Sequence, residues 1–350
     1  MKIALLTIWH VQNYGAELQS YAMVKVLEKL GHQVEMINIR LGDCAHPNIY
    51  GRIGTFLSSF GLGYKKFKRF WDNNIPATKR YRTADELIDN PPEADIYLVG
   101  SDQVWNPDLT GDLAKIFFLD FGNENTKRIS YASSFGKSVW THKSIKTEVG
   151  RLLSRFSTVT CREESGVNLL SKEFGIISQC VIDPTLLLGD YSEFIKNSEN
   201  RETLVYYPLT VDKELEESAK RIANKLNLKV VNNKQCKYIT PLVLWNQTSI
   251  EEWITNIATA KFVLTRSFHG MLFALMHKRQ FAVVAGNNGR GTRLLNILEK
   301  VGLSDRYYAD FLTMELDKPW KRRIDYTLVE LKIQEMRKES LNILKQMLDK

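Results

Sequence analysis

The chain has few cysteines. Four in 350 residues, Cys44, Cys161, Cys180 and Cys236, are scattered with no CxxC spacing, so neither a zinc module nor a disulfide framework organises it. No apolar run approaches the roughly 20 residues that a membrane-spanning helix needs. The run after Met1-Lys2, from Ile3 to Ile8, is too short for the core of a secretory leader, and no small-residue cleavage site follows. A cytoplasmic setting is therefore expected. There is no GxGxxG to cradle a dinucleotide, no HExxH, and no Asp-x-Asp pair of the kind metal-dependent sugar-nucleotide enzymes use. Neither a cofactor nor a metal is called for.

What remains is an ordinary globular composition, 44% hydrophobic and 25% charged, in a chain long enough for two domains with full cores. The formal net charge of +8 is unevenly spread. Tyr64-Lys65-Lys66-Phe67-Lys68-Arg69-Phe70-Trp71 and Lys318-Pro319-Trp320-Lys321-Arg322-Arg323 interleave basic and aromatic residues. Such clusters suit an anionic membrane surface as well as a plain solvated one. No recognised nucleic-acid motif accompanies them, and nucleic acid is not expected as a partner.

The chain reads as α/β from its first residues. Lys2 to Trp9 is a mostly apolar strand, Asn13-Tyr14-Gly15-Ala16 a loop, and Glu17 to Leu30 a helix with apolar residues at helical spacing. Gly31-His32 ends it, and Gln33 to Ile39 is a second strand, giving the βαβ opening of a doubly wound domain. Residues 41–92 read as an irregular basic insertion. Ala94 to Val99 is a strand that runs into Gly100-Ser101-Asp102-Gln103-Val104-Trp105-Asn106. Ile116 to Asp120, Arg128 to Ala132 and Thr158 to Cys161 read as further strands, the last ending in Arg162-Glu163-Glu164-Ser165-Gly166. Gly189 to Thr203 lacks apolar periodicity and is the expected linker. A second α/β set follows, and its Ser249 and Glu252 have capping-box spacing. The domains expected are thus 1–190, with the insertion 41–92, and 203–325. An amphipathic C-terminal helix occupies 326–350.

The most informative stretch is Lys261 to Asn296. A buried strand, Phe262-Val263-Leu264, turns through Thr265-Arg266-Ser267-Phe268-His269-Gly270 into an apolar helix. A second strand, Phe281 to Ala285, turns through a Gly/Asn loop carrying Arg290 into a helix carrying Arg293. In an open α/β sheet, ligands bind at the carboxyl ends of strands, where helix N-termini also offer N–H groups to anions. A histidine with several arginines there suits a small, highly charged anion beside a proton donor or acceptor.

Together these residues resemble the polysaccharide pyruvyl transferase family of bacterial cell-envelope synthesis. The carriers are Asn13-Tyr14-Gly15-Ala16 with Leu18-Gln19, Gly100 to Asn106, Arg162 to Gly166, Asp183-Pro184-Thr185, Ser267 to Gly270, and Arg290 to Arg293, in family order over residues 1 to about 305. The resemblance implies two Rossmann-like domains facing a cleft, similar to the GT-B arrangement. The N-terminal one would take the acceptor and the C-terminal one the anionic donor. It implies phosphoenolpyruvate as donor, a pyruvate ketal on two hydroxyls of one sugar in an exopolysaccharide or capsule precursor as product, and no cofactor. One position departs: many members carry an acid before Ser-Phe-His-Gly, and here Arg266 stands there.

On this reading His269 is the general acid/base, since histidine titrates near neutral pH. Arg162, Arg266, Arg290 and Arg293 hold phosphate and carboxylate. Glu163 and Asp102 orient a base or grip the acceptor, and Asn13, Tyr14, Gly15, Ser101, Gln103 and Ser267 line the strand ends. The acceptor is expected to be lipid-diphosphate-linked at the cytoplasmic face of the inner membrane. Two alternatives stay open: a GT-B-like glycosyltransferase using a nucleotide sugar, and a non-catalytic membrane-peripheral scaffold of polysaccharide assembly.

Overall fold

The computed structural model describes residues 1–41, 62–197, 199–209, 212–234, 247–285 and 291–349. Among them are two parallel sheets, each in its own compact unit. The first unit contains β1 (Lys2–Leu6), β2 (Gln33–Ile39), β3 (Ala77–Tyr81), β4 (Ile96–Val99), β5 (Lys127–Ser133), β6 (Thr158–Cys161) and β7 (Gln179–Cys180), in the order β3-β2-β1-β4-β5-β6-β7. The second comprises Gly189–Glu335 together with residues 62–67 and contains β8 (Thr203–Tyr207), β9 (Lys229–Asn232), β10 (Phe262–Thr265), β11 (Gln280–Val284) and β12 (Tyr307–Tyr308), ordered β12-β11-β10-β8-β9. The last helix, Tyr326–Asp349, belongs to the second unit as far as Glu335 and to the first from Met336.

The central strands are continuous apolar runs because helices cover both faces of a parallel sheet. Every residue of β4 (IYLV) and β10 (FVLT) is buried. Edge strand β3 (ATKRY) buries only Tyr81. The helices start where capping chemistry starts them. Asn13 caps Tyr14–Lys29 by accepting from Gly15 N at 3.0 Å and Ala16 N at 3.3 Å, and Ser249 and Glu252 form the reciprocal box expected of them.

Two sequence expectations fail here for physical reasons. Ile116 to Asp120 is not a strand: Ile116–Phe118 is a 3-10 turn, closed by Leu119 in the left-handed region at φ 58°. The cause is Arg128, buried in β5, whose guanidinium gathers the carbonyls of Leu119, Phe121, Asn123, Glu124 and Thr126. Those carbonyls point at an arginine and cannot join a strand ladder. Nor is the insertion irregular where it is described. Leu62–Asn74 is a helix, followed by β3 and a short helix, Ala84–Asp89; residues 42–61 lie outside the described residues. Phe67, Phe70 and Trp71 are all buried, at the i, i+3, i+4 spacing of a helix face turned inward. Three of the four rings of this basic-aromatic cluster are core side chains, and Tyr64 is half-buried.

Candidate functional site

A doubly wound sheet binds ligands where its strand order reverses, outside the carboxyl ends. In the first unit that point lies between β1 and β4, and in the second between β8 and β10. Each unit places motif residues at its own switch point.

In the first unit, β4 ends in Gly100-Ser101-Asp102. Gly100 passes so close to β1 that a Cβ would lie 3.1 Å from the Thr7 Cβ, and Thr7 Oγ1 donates to the Ser101 carbonyl at 2.7 Å. Next along the sheet, β6 delivers Arg162 and Glu163, and the segment after β7 delivers Asp183. Arg162 is the hub. Its Nη1 lies 3.0 Å from Asp183 Oδ2 and donates to Ser101 Oγ at 3.4 Å. Its Nη2 lies 3.8 Å from Asp102 Oδ1, and its Nε 3.6 Å from Glu163 Oε2. Burial alone would lower the affinity of this guanidinium for its proton. The carboxylates of Asp183, Glu163 and Asp102 outweigh that and raise it.

Each carboxylate is held in turn. Asp183 Oδ1 accepts from Thr185 N at 2.9 Å and Thr185 Oγ1 at 2.7 Å, and Ser101 Oγ donates to Oδ2 at 3.1 Å. Glu163 Oε1 accepts a short bond from Ser134 Oγ, which itself accepts from Gly136 N. Asp102, at φ 73°, accepts from Gln103 N at 2.8 Å. Arg162 thus faces three carboxylates, a cluster that sums to two negative charges. Its guanidinium is directed into protein carboxylates, which suits it to positioning Asp102 and Glu163.

The Asn13-Tyr14-Gly15 loop starts the first helix at the same edge of the sheet. Asn13 serves as its cap, and the Tyr14 ring is buried. Gln103 lies under the Ser133–Gly136 turn, where a Cβ on Gly136 would come within 2.1 Å of its Oε1. A residue the sequence reading passed over is Glu17, fully buried on the first helix. It accepts from His10 N at 3.2 Å, Val11 N at 2.9 Å and Trp71 Nε1 at 2.7 Å. Burial pushes its carboxyl up to about 7, against the pull of those donors. The available signal was a charged residue inside an otherwise apolar helical face.

In the second unit, Ser267 caps the helix Phe268–Met276, with Oγ accepting from Gly270 N at 3.3 Å. His269 stands in its first turn and is 9% exposed. Gly270 lets this turn sit on the ends of β8 and β10, since a Cβ there would lie 2.7 Å from Thr265 Oγ1 and 3.1 Å from Tyr207 Cδ1. Arg266 is tied sideways. Its Nε lies 2.9 Å from Asp212 Oδ2, its Nη2 donates to Glu214 Oε2 at 2.7 Å and its Nη1 to the Ala285 carbonyl at 3.2 Å. Its guanidinium carbon also lies over the Phe311 ring, at 4.6 Å. Arg293 lies in the first turn of the helix Gly291–Val301, while Arg290 lies outside the described residues.

Solved structures of the same architecture cover essentially the whole chain. MnaA of S. aureus, in a structure with UDP, matches with a TM-score of 0.54 and 12% identity over 99% of this chain and 97% of that one. A putative UDP-N-acetylglucosamine 2-epimerase from Listeria monocytogenes matches with a TM-score of 0.54 and 11% identity over 100% and 96%. The glycotransferase of kitacinnamycin matches at 0.51 and 11% over 99% and 98%. These likenesses define the fold class, a GT-B-like α/β protein of two Rossmann-like units. No curated protein sequence matches the chain. A profile of the polysaccharide pyruvyl transferase family matches residues 13–288, and the chain belongs to that family, an enzyme family that transfers pyruvyl groups.

Proposed function

We propose that the protein transfers the pyruvyl group of phosphoenolpyruvate onto two hydroxyls of one sugar in a cell-envelope polysaccharide precursor, leaving a pyruvate ketal. The observation that carries this reading is His269, held on the first turn of a helix at the switch point of the second sheet in a chain of the pyruvyl transferase family.

The chemistry needs protonation of the enol methylene carbon, attack of one sugar hydroxyl on the adjacent carbon, loss of phosphate, and closure by the second hydroxyl. Of the two hydroxyl protons, one balances the new methyl group and the other leaves with phosphate. His269 is the group that moves protons, first by taking one from an attacking hydroxyl. Arg293 and Arg290 bind the donor's phosphate and carboxylate, and the free N–H groups of a helix start add to that field. Asp102 and Glu163, fixed by Arg162, orient the acceptor. The acceptor sugar is carried on a lipid diphosphate, and the enzyme works at the cytoplasmic face of the inner membrane.

The test is phosphate release from phosphoenolpyruvate with a panel of soluble and lipid-linked galactose, glucose and mannosamine acceptors, with His269→Ala run alongside. Acceptor-dependent release that disappears in the variant supports the reading. The competing reading, a glycosyltransferase, draws on the likeness to a structure solved with UDP. Thermal stabilisation by a nucleotide sugar, but not by phosphoenolpyruvate, would decide for it.

A further inference from the structure

The second sheet has another edge, and it too is built. At the amino ends of β8, β9, β10 and β11, opposite the edge that carries Ser267 and His269, lies a cavity of about 630 Å³. Phe262 and Trp320 line it, their rings edge to face with centroids 6.4 Å apart. Six cations surround it. Lys261 is neutralised by Glu202 at 2.6 Å and Lys278 by Glu330 at 2.5 Å. The other four have no carboxylate partner among the described residues. Arg201 reaches only Asn256 Oδ1, and Arg279 donates to Asn200 Oδ1 and to the carbonyls of His277 and Ala260. Lys321 and Arg323 are exposed and make no ion pair.

The segment carrying Trp320, Lys321 and Arg323 is held firmly. Buried Arg306 donates to the carbonyls of Pro319 at 2.8 Å and Arg322 at 2.7 Å. Arg322 is paired with Asp317, and Ile324 N donates to Gln280 Oε1 at 2.7 Å. Four cations without a carboxylate partner round one cavity give it a positive field that favours an anion there.

A second observation indicates what kind of anion. The exposed large apolar side chains of this unit, among the described residues, are Leu312, Leu316, Leu328 and Leu331. They fall on the two helices that flank the basic segment, Phe311–Asp317 before it and Tyr326–Asp349 after it, at i, i+4 and i, i+3 spacing. Exposed leucines beside fixed cations and a tryptophan are the composition of a surface that enters a lipid headgroup layer.

We propose that this amino edge of the second unit is a docking site for an anionic bilayer. A lipid phosphate sits in the cavity among Arg201, Arg279, Lys321 and Arg323, and Leu316, Leu328 and Leu331 enter the acyl boundary. This gives the peripheral-membrane part of the proposed function a particular site, away from the residues assigned to the chemistry.

The test is co-sedimentation of the full chain with phosphatidylcholine vesicles and with vesicles that also contain phosphatidylglycerol. Binding is expected only with phosphatidylglycerol present, falling with salt. Lys321→Gln/Arg323→Gln is expected to weaken it roughly 25-fold, since each neutralised cation near the surface is worth about five-fold. Leu328→Ser/Leu331→Ser is expected to weaken it by about ten-fold. An equal loss in the control pair Lys143→Gln/Lys172→Gln would reduce the effect to net charge and overturn the site. So would binding indifferent to the leucines, or equally tight binding of soluble glycerol phosphate, which would make the cavity a site for a free anion. Phosphate release with a soluble acceptor is expected to be unchanged in these variants, so loss of docking and loss of the proposed chemistry are separately visible.

Discussion

Replacing Asp183 with asparagine tests the ionic hub of the first unit. The change keeps the shape of the side chain and removes one charge, 3.0 Å from the guanidinium of a buried arginine. At that distance and an effective dielectric constant of about 20, the attraction lost is about 5–6 kcal/mol. Two further carboxylates remain, Glu163 at 3.6 Å and Asp102 at 3.8 Å, so Arg162 is not left without counter-charge. That moves the expected cost toward the lower end of the range for breaking a buried pair, about 3 kcal/mol. Against this, the asparagine has one acceptor oxygen for Thr185 N, Thr185 Oγ1, Ser101 Oγ and Arg162 Nη1, where the aspartate has two. Equilibrium denaturation in urea, followed by tryptophan fluorescence, measures the change. Arg162→Met and the double variant complete a cycle, in which the double is expected to lose at least about 2 kcal/mol less than the sum of the singles. A loss below about 1 kcal/mol for Asp183→Asn, or an additive cycle, would refute the reasoning.

Three other outcomes are expected. Glu17 has its folded carboxyl raised to about 7 by burial, so the stability it contributes is whole below about 4.5 and is lost as pH rises through about 7. The stability of Glu17→Gln relative to wild type should therefore rise by about 2.5 kcal/mol between pH 5 and pH 8; parallel curves in denaturation at the two pH values would contradict it. Gly136→Ala places a side chain at φ 68° and against Gln103, and should lower stability by about 1–2 kcal/mol, read as a drop in melting temperature. Gly270→Ala pushes the His269 turn away from Thr265 and Tyr207, and should cost about 100-fold in turnover even where the melting temperature falls little, because a shift near 1 Å in a reacting group has that effect.

The ends of the strands were legible because they depend on local chemistry. A four-residue buried run followed by Gly100-Ser101 or Ser267-Phe268-His269-Gly270 needs no tertiary information to be read as a strand meeting a ligand edge. What the sequence could not show is which strand ends become neighbours. Arg162 and Asp183 meet because β6 and β7 pair, and Ser101 joins them across 61 residues because the sheet order brings β4 to the same edge. Glu17 and Trp71 are 54 residues apart, and their hydrogen bond turns an apparently surface-active ring into part of the core. The misread strand at Ile116 fails similarly. An apolar run fits a strand or a buried turn equally well, and the arginine that decides between them lies in the next element.

Arg266 shows how geometry changes the meaning of a sequence departure. Where the resemblance implies an acid, this chain has a cation, which at the level of sequence suggests an additional ligand for the donor's phosphate. The structure places two carboxylates, Asp212 and Glu214, on that guanidinium. One cation and two anions sum to one negative charge at the end of β10. The carboxylates, the Ala285 carbonyl and the Phe311 ring also hold Arg266 in place. A cation so committed adds little to phosphate binding, because a ligand would have to compete with two carboxylates already within 2.9 Å of the guanidinium. On the proposed function, phosphate binding is therefore assigned to Arg293 and to the helix N-terminus that Ser267 caps rather than to Arg266.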